Sequence, residues 1–186
     1  MARDAGVMDV VIRPGTPADA HAVESLRIAG WKAAYRGIIP DAYLDGLPVD
    51  GERRRRLMIE RGGEYHESVA ARDGEIVGWA AAGPARDEDK TGPEHGEIYA
   101  CYVRPDWWGR GVGGLLMTHA IGQLADEGRT SVTLWVLEDN ERARRFYESC
   151  GLRPDGARKL LDFGQLVPEI RYRADFPAAP ATRLSR

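Results

Sequence analysis

Residues 98–117 read IYACYVRPDWWGRGVGGLLM. Aromatic and apolar residues stop at Arg104-Pro105, two adjacent tryptophans follow, glycines stand at 109, 111, 113 and 114, and the chain resumes in leucines. This pattern predicts a strand end, a turn and a helix start. Glycine inside a helix costs about 1 kcal/mol relative to alanine. A turn needing positive φ accounts for one or two such residues. Four of them directly before a well-patterned helix point to a ligand that must approach the backbone. The N–H groups of a helix start lack intrahelical partners and lie at the positive end of the dipole, so the ligand they suit is a phosphate.

Two common nucleotide motifs fit poorly. Gly109-Arg110-Gly111-Val112-Gly113-Gly114 formally satisfies GxGxxG, and Glu138-Asp139 follow the next strand, where a ribose-binding acid belongs. In that fingerprint, however, the first glycine follows the strand at once, whereas here Pro105 to Trp108 intervene. The motif also lies past mid-chain, with too little sequence after it for a parallel dinucleotide-binding sheet. A Walker A loop requires a lysine that is absent from this stretch.

Working outward, DVVIR (9–13) reads as a first strand. A helix follows, with Thr16 as N-cap, Pro17 in its first turn and Val23, Leu26 and Ala29 facing inward as far as Tyr35. Residues 40–61 form a shorter helical region, entered at Asp41 and again at Asp50. Residues 65–72 and 75–83 flank Asp73-Gly74, a hairpin signal. The polar, proline-broken segment 84–95 is a loop, and EIYACYV (97–103) is a strand. A helix over 113–127 carries Met117, Ile121 and Leu124 inward. SVTLWVL (131–137) is a strand, NERARRFYES (140–149) a helix ended by Gly151, and 159–163 with 169–176 a closing hairpin. The order β-α-α-β-β-β-α-β-α-β-β describes an α/β (α+β) protein with a mixed sheet covered by helices. It forms one domain over 1–176, followed by a flexible tail over 177–186.

The 186 residues are 43% hydrophobic and 30% charged, with a net charge of −3. That balance is ordinary for a soluble domain and offers no basic surplus for nucleic acid or an anionic membrane. No apolar run reaches the length of a bilayer span. MARDAGVMD lacks the regions of a signal peptide, which places the protein in the cytoplasm. Cys101 and Cys150 are too few for a disulfide framework, and the four histidines are scattered without zinc-site spacing, so no metal is expected.

Strand-VxP-xxxGxGxG-helix resembles the cofactor-binding motif of the GNAT superfamily of N-acetyltransferases. The resemblance runs from VIRPGTPADA to about Phe176 in the same element order, and NERARRFYESCGLRPDG resembles the family's later segment. It implies a largely antiparallel sheet with helices on both faces, and acetyl-coenzyme A as co-substrate. Arg110, Gly111, Val112, Gly113 and Gly114 would line the pyrophosphate. Cys101, Tyr102 and Val103 would offer strand backbone to the pantetheine arm. Trp108 departs from the family, which often has glutamine or arginine there.

Acetyl transfer needs a neutral amine, a donor for the oxyanion and a proton for the departing thiolate. A tyrosine phenol, protonated at neutral pH, suits the last role. Asn140, Ala143 and Tyr147 share one helical face. The resemblance turns that face to the cofactor, with Asn140 and Ala143 on the pantetheine side and Tyr147 as general acid. Glu97 is the candidate base, on the same strand face as Tyr99 and Cys101 unless a bulge intervenes. Ile28, Trp31 and Tyr35 share a face of the first long helix beside a loop that in this family borders the acceptor, so Trp31 and Tyr35 are candidate acceptor contacts. The arginine run in ERRRRLM (52–58) reads as a solvated helix face, and both cysteines as small hydrophobes. The acceptor expected is a small-molecule primary amine. Because dimers are common in the family, a homodimer is expected too. A non-catalytic acyl-coenzyme A sensor of the same fold is the rival reading, and a GxGxxG oxidoreductase a more distant one.

Overall fold

Asp73 and Gly74 both adopt positive φ, 51° and 83°, the geometry of a type I′ turn. They join β2 (His66–Arg72) to β3 (Glu75–Pro84). β1 (Val11–Pro14) pairs with β2 and β4 (His95–Val103) with β3, all antiparallel. β5 (Ser131–Leu137) runs parallel to β4, and β7 (Leu166–Asp175) separates it from the edge strand β6 (Arg153–Asp162). The sheet has seven strands in the order β1-β2-β3-β4-β5-β7-β6. The computed structural model describes residues 9–61 and 63–176. The expected leaderless start (residues 1–8) and flexible tail (177–186) lie outside them.

Helices cover both faces, which is why the central strands are apolar on both sides. From α1 (Ala20–Tyr35), Val23 and Leu26 pack on Val69, Trp79 and Ala81. On the opposite face, α4 (Val112–Asp126) sets Leu116 against Ala70, Val77 and Ala80, and Met117, Ala120 and Leu124 against Val132, Leu134 and Tyr172. α2 (Asp41–Asp45) and α3 (Gly51–Glu60) follow α1, and α5 (Glu141–Ser149) lies between β5 and β6. Successive β3 residues therefore face different helices, and alanines at 80, 81 and 82 let both layers approach.

Four expectations are corrected. Ala29 is exposed, and Ile28 and Gly30 face inward in its place; Gly30 lies so close to the Tyr102 ring that a Cβ there would meet it at 3.1 Å. Pro17–Asp19 forms a separate 3-10 turn before α1. β6 begins at Arg153 rather than 159, because an edge strand tolerates Pro154 and the irregularity between Pro154 and Arg158. In the arginine run, Arg54 is buried and pairs with Glu67, whereas Arg53, Arg55 and Arg56 are exposed.

Candidate active site

β4 and β5 pair only over His95–Glu97 and Ser131–Thr133. Beyond Glu97, β4 has no strand partner on its β5 side among the described residues. A bulge explains the parting. Ala82 faces Ile98 and Ala81 faces Ala100, so Tyr99 is an extra residue that bends the strand. The opening holds a cavity of about 400 Å³. Its walls are Ile98 to Val103 of β4, Leu134 to Val136 of β5, the glycine turn, and the α5 face bearing Asn140, Ala143 and Tyr147.

The glycines differ in purpose. Gly109 and Gly111 take φ of 75° and 84°, with Gly111 as the left-handed N-cap of α4, conformations that an L side chain resists. A Cβ on Gly113 would meet the Phe146 ring at 3.0 Å, so this position lets α4 and α5 pack. A Cβ on Gly114 would meet nothing within 4 Å, so no contact among the described residues requires glycine there. The first α4 hydrogen bond runs from Leu115 N to Gly111 O, leaving the preceding N–H groups directed outward. Arg110, Trp107 and Trp108 flank the turn, and the Arg110 guanidinium lies 5.0 Å from the Trp107 ring centroid. The Trp108 indole donates to Val103 O at 2.7 Å, and Arg142 of α5 stacks on its ring at 3.7 Å. Trp108 thus takes the Val103 carbonyl that the sequence reading offers to pantetheine. It also brings an arginine to the turn where the family often supplies one from position 108 itself.

Asn140 is the N-cap of α5, its side-chain oxygen accepting from Ala143 N at 3.1 Å; its amide NH₂ makes no hydrogen bond among the described residues. Two turns further on, Tyr147 packs on Phe146 and Tyr172. Burial, with smaller contributions from Cys101, Tyr102 and Cys150, holds its phenol well above the ordinary tyrosine range. Burial pushes the Cys101 thiol up to about 12, so it is an inert wall rather than a nucleophile. Tyr102 accepts from Trp31 Nε1 at 2.7 Å and lies 3.4 Å from the Tyr35 hydroxyl. Tyr35 lines the cavity, while Trp31 stands behind it against Phe163.

Glu97 is not brought to the cavity. The bulge at Tyr99 puts it on the strand face opposite Cys101, the contingency noted from sequence. Its buried carboxylate accepts from Arg86 through the backbone N at 2.9 Å, Nε at 3.1 Å and Nη2. Sequence reasoning missed Arg86, Arg142 and Trp135: each owes its place to pairing or packing across distant elements, which no local pattern announces.

The sequence and the fold both have known counterparts. The profile described as the Acetyltransferase (GNAT) family matches residues 31–152. The chain belongs to the GNAT family of acetyltransferases. A probable N-acetyltransferase of Mycobacterium tuberculosis is 30% identical over 178 residues, 92% of this chain and 97% of that protein. Among solved structures, the PaiA N-acetyltransferase of Thermoplasma acidophilum in complex with coenzyme A superposes with a TM-score of 0.75 at 16% identity, covering 91% of this chain and all (100%) of that one. YncA of Salmonella typhimurium, a putative acetyltransferase with its cofactor acetyl-CoA, gives 0.71 at 20% identity, covering 95% and 99%. These structural likenesses establish the fold: a GNAT sheet split between β4 and β5, with helices on both faces.

Proposed function

We propose that this GNAT protein is an acetyl-coenzyme A-dependent N-acetyltransferase whose acceptor is the primary amine of a small molecule. The observation that carries the reading is the gap between β4 and β5, which ends on the glycine turn and holds the Tyr147 phenol in its wall. In this reading the N–H groups of Arg110 to Gly114 receive the pyrophosphate. The free edge of β4 at Cys101 and Tyr102, with the Asn140 amide, receives the pantetheine arm as an added strand. Val103 contributes its apolar side chain, and Ala143 keeps the α5 face low. The neutral amine nitrogen attacks the thioester carbonyl, the C–S bond breaks, Tyr147 gives its proton to the departing thiolate, and the proton lost by the nitrogen passes to water, from which the phenol is restored. Tyr35 forms the acceptor-side wall, with Trp31 fixing Tyr102 behind it. Glu97 holds the 84–95 loop through Arg86 and does not serve as direct base. The enzyme is read as cytoplasmic and homodimeric, acting without nucleic acid or membrane; sedimentation showing only monomer would remove the dimer.

Calorimetric titration with acetyl-coenzyme A, with NADH as control, tests the core of the proposal. Micromolar binding of acetyl-coenzyme A alone, followed by thiol release with a panel of small amines, is the expected result. Binding of NADH alone would return the glycine turn to dinucleotide chemistry.

A further inference from the structure

On the sheet face turned toward α1, the register of β5, β7 and β6 sets three residues in line. Glu169 lies opposite Leu137 on one side and opposite Lys159 on the other, beside the Trp135–Arg171 pair. Lys159 Nζ is 3.4 Å from Glu169 Oε2 and 3.9 Å from the centroid of the Trp135 ring. A carboxylate and an aromatic face meeting on one ammonium form a combination suited to binding amines. A cross-strand lysine–glutamate pair would account for the ion pair alone, but not for where it lies. Trp135 lines the cavity. The Glu169 charge also reaches Tyr35 and Tyr102, both of which line it.

The Trp135 side of the seat is fixed by hydrogen bonds, and Lys159 is the more exposed of its two charged partners. The Trp135 indole donates to both Asp87 oxygens, at 3.2 and 3.0 Å, and Arg171 holds Asp87 at 2.9 Å. The Glu169 side chain is 15% exposed, whereas that of Lys159, on the edge strand, is 41% exposed. Burial raises the pKa of Glu169, with Lys159 and Arg86 opposing the shift and Glu97 adding to it. A second cation near Glu169 is therefore electrostatically welcome, and the lysine stem is free to swing out along the edge strand.

We propose that the Trp135 ring and the Glu169 carboxylate form the seat in which the acceptor's amine first binds in its ammonium form, before it loses a proton and attacks, and that Lys159 fills this seat as a displaceable internal ammonium. The inference rests on the acetyltransferase reading for its substrate, but its test does not depend on transfer. The probe is n-butylammonium, titrated against the intact protein while the Trp135 indole proton is followed by NMR, with n-butanol as the uncharged control. Lys159→Met keeps the stem and removes the competing charge, so it should bind n-butylammonium at least tenfold more tightly than the native chain, with n-butanol unchanged. Adding Glu169→Gln should abolish the gain. Lys159→Gln serves as a second vacating variant should the methionine disturb folding. No gain in either lysine variant, or a gain that survives loss of Glu169, would overturn the seat. Acetyl-coenzyme A calorimetry on the same proteins separates the two claims: failure to bind it defeats the acetyltransferase reading, while the seat stands or falls on the butylammonium titration.

Discussion

The Tyr147 phenol is held in the cavity wall by Phe146 and Tyr172, and among the described residues its hydroxyl has no hydrogen-bond partner. Burial favours the neutral form. A phenol whose pKa is raised stays a competent acid at high pH, so the transfer rate should show no descending limb below about pH 10, the ordinary tyrosine range. Tyr147→Phe should leave acetyl-coenzyme A affinity near native and lower kcat by about 10²-fold, within the usual span for a general acid. Unchanged turnover would remove Tyr147 from the chemistry and favour a role in packing. Arg142 is argued differently, from its stacking on Trp108 beside the glycine turn. A guanidinium there adds a charge-assisted bond to a phosphate, worth about 1.5–3 kcal/mol. Arg142→Ala should therefore weaken acetyl-coenzyme A binding about tenfold or more and reduce the salt dependence of binding, both readable by calorimetry.

Among the elements, the start of α4 sets stability against binding. Gly114 is helical, lies in the first turn, and has open space where a Cβ would stand. Alanine there gains about 1 kcal/mol of helix propensity. If the position is kept small for the pyrophosphate, Gly114→Ala should raise the melting temperature while weakening acetyl-coenzyme A binding. Gly113→Ala should lower stability as well, because its methyl meets Phe146. A Gly114→Ala protein that binds as tightly as native would show that the glycine serves no ligand. This distinction also marks where sequence reading stops. Strand-turn-helix, the Asp73-Gly74 hairpin and the Asn140–Tyr147 face were legible because each is a local pattern with one dominant cause. The four glycines looked alike in sequence, yet two answer to backbone geometry and one to a ring on another helix. The bulge at Tyr99, which parts β4 from β5 and puts Glu97 on the face opposite Cys101, has no composition of its own, since it is set by register against β3. The first half of β6 went unread because Pro154 and Gly156 are poor strand formers, and only its place at the sheet edge makes them acceptable.

For the whole molecule, the cavity depends on a sheet that stays split while its two helical layers hold it in place. On the α1 side, part of that hold is electrostatic and buried. Arg54 of α3 reaches into the sheet, bonds Glu67 of β2 and lies 4.2 Å over the Trp79 ring, while Trp79 Nε1 donates to the same Glu67 oxygen at 2.9 Å. The Arg54 and Glu67 side chains are 7% and 6% exposed, and Arg54 Nε and Glu67 Oε1 have no hydrogen-bond partner among the described residues. Such a pair contributes little net stability, since desolvation offsets the attraction, but removing one member leaves a buried charge uncompensated. Arg54→Leu should therefore lower unfolding free energy by about 3 kcal/mol. Adding Glu67→Gln should recover most of it, because glutamine still accepts from Trp79 and carries no charge. Neither residue lines the cavity, so acetyl-coenzyme A affinity at a temperature where the variants are folded should be native in both. Denaturant unfolding of the two single variants and the double variant measures the coupling directly. If the second substitution deepened the loss, the pair would be a net stabiliser of the α3–sheet contact, and the ion pair itself would hold that layer on the sheet.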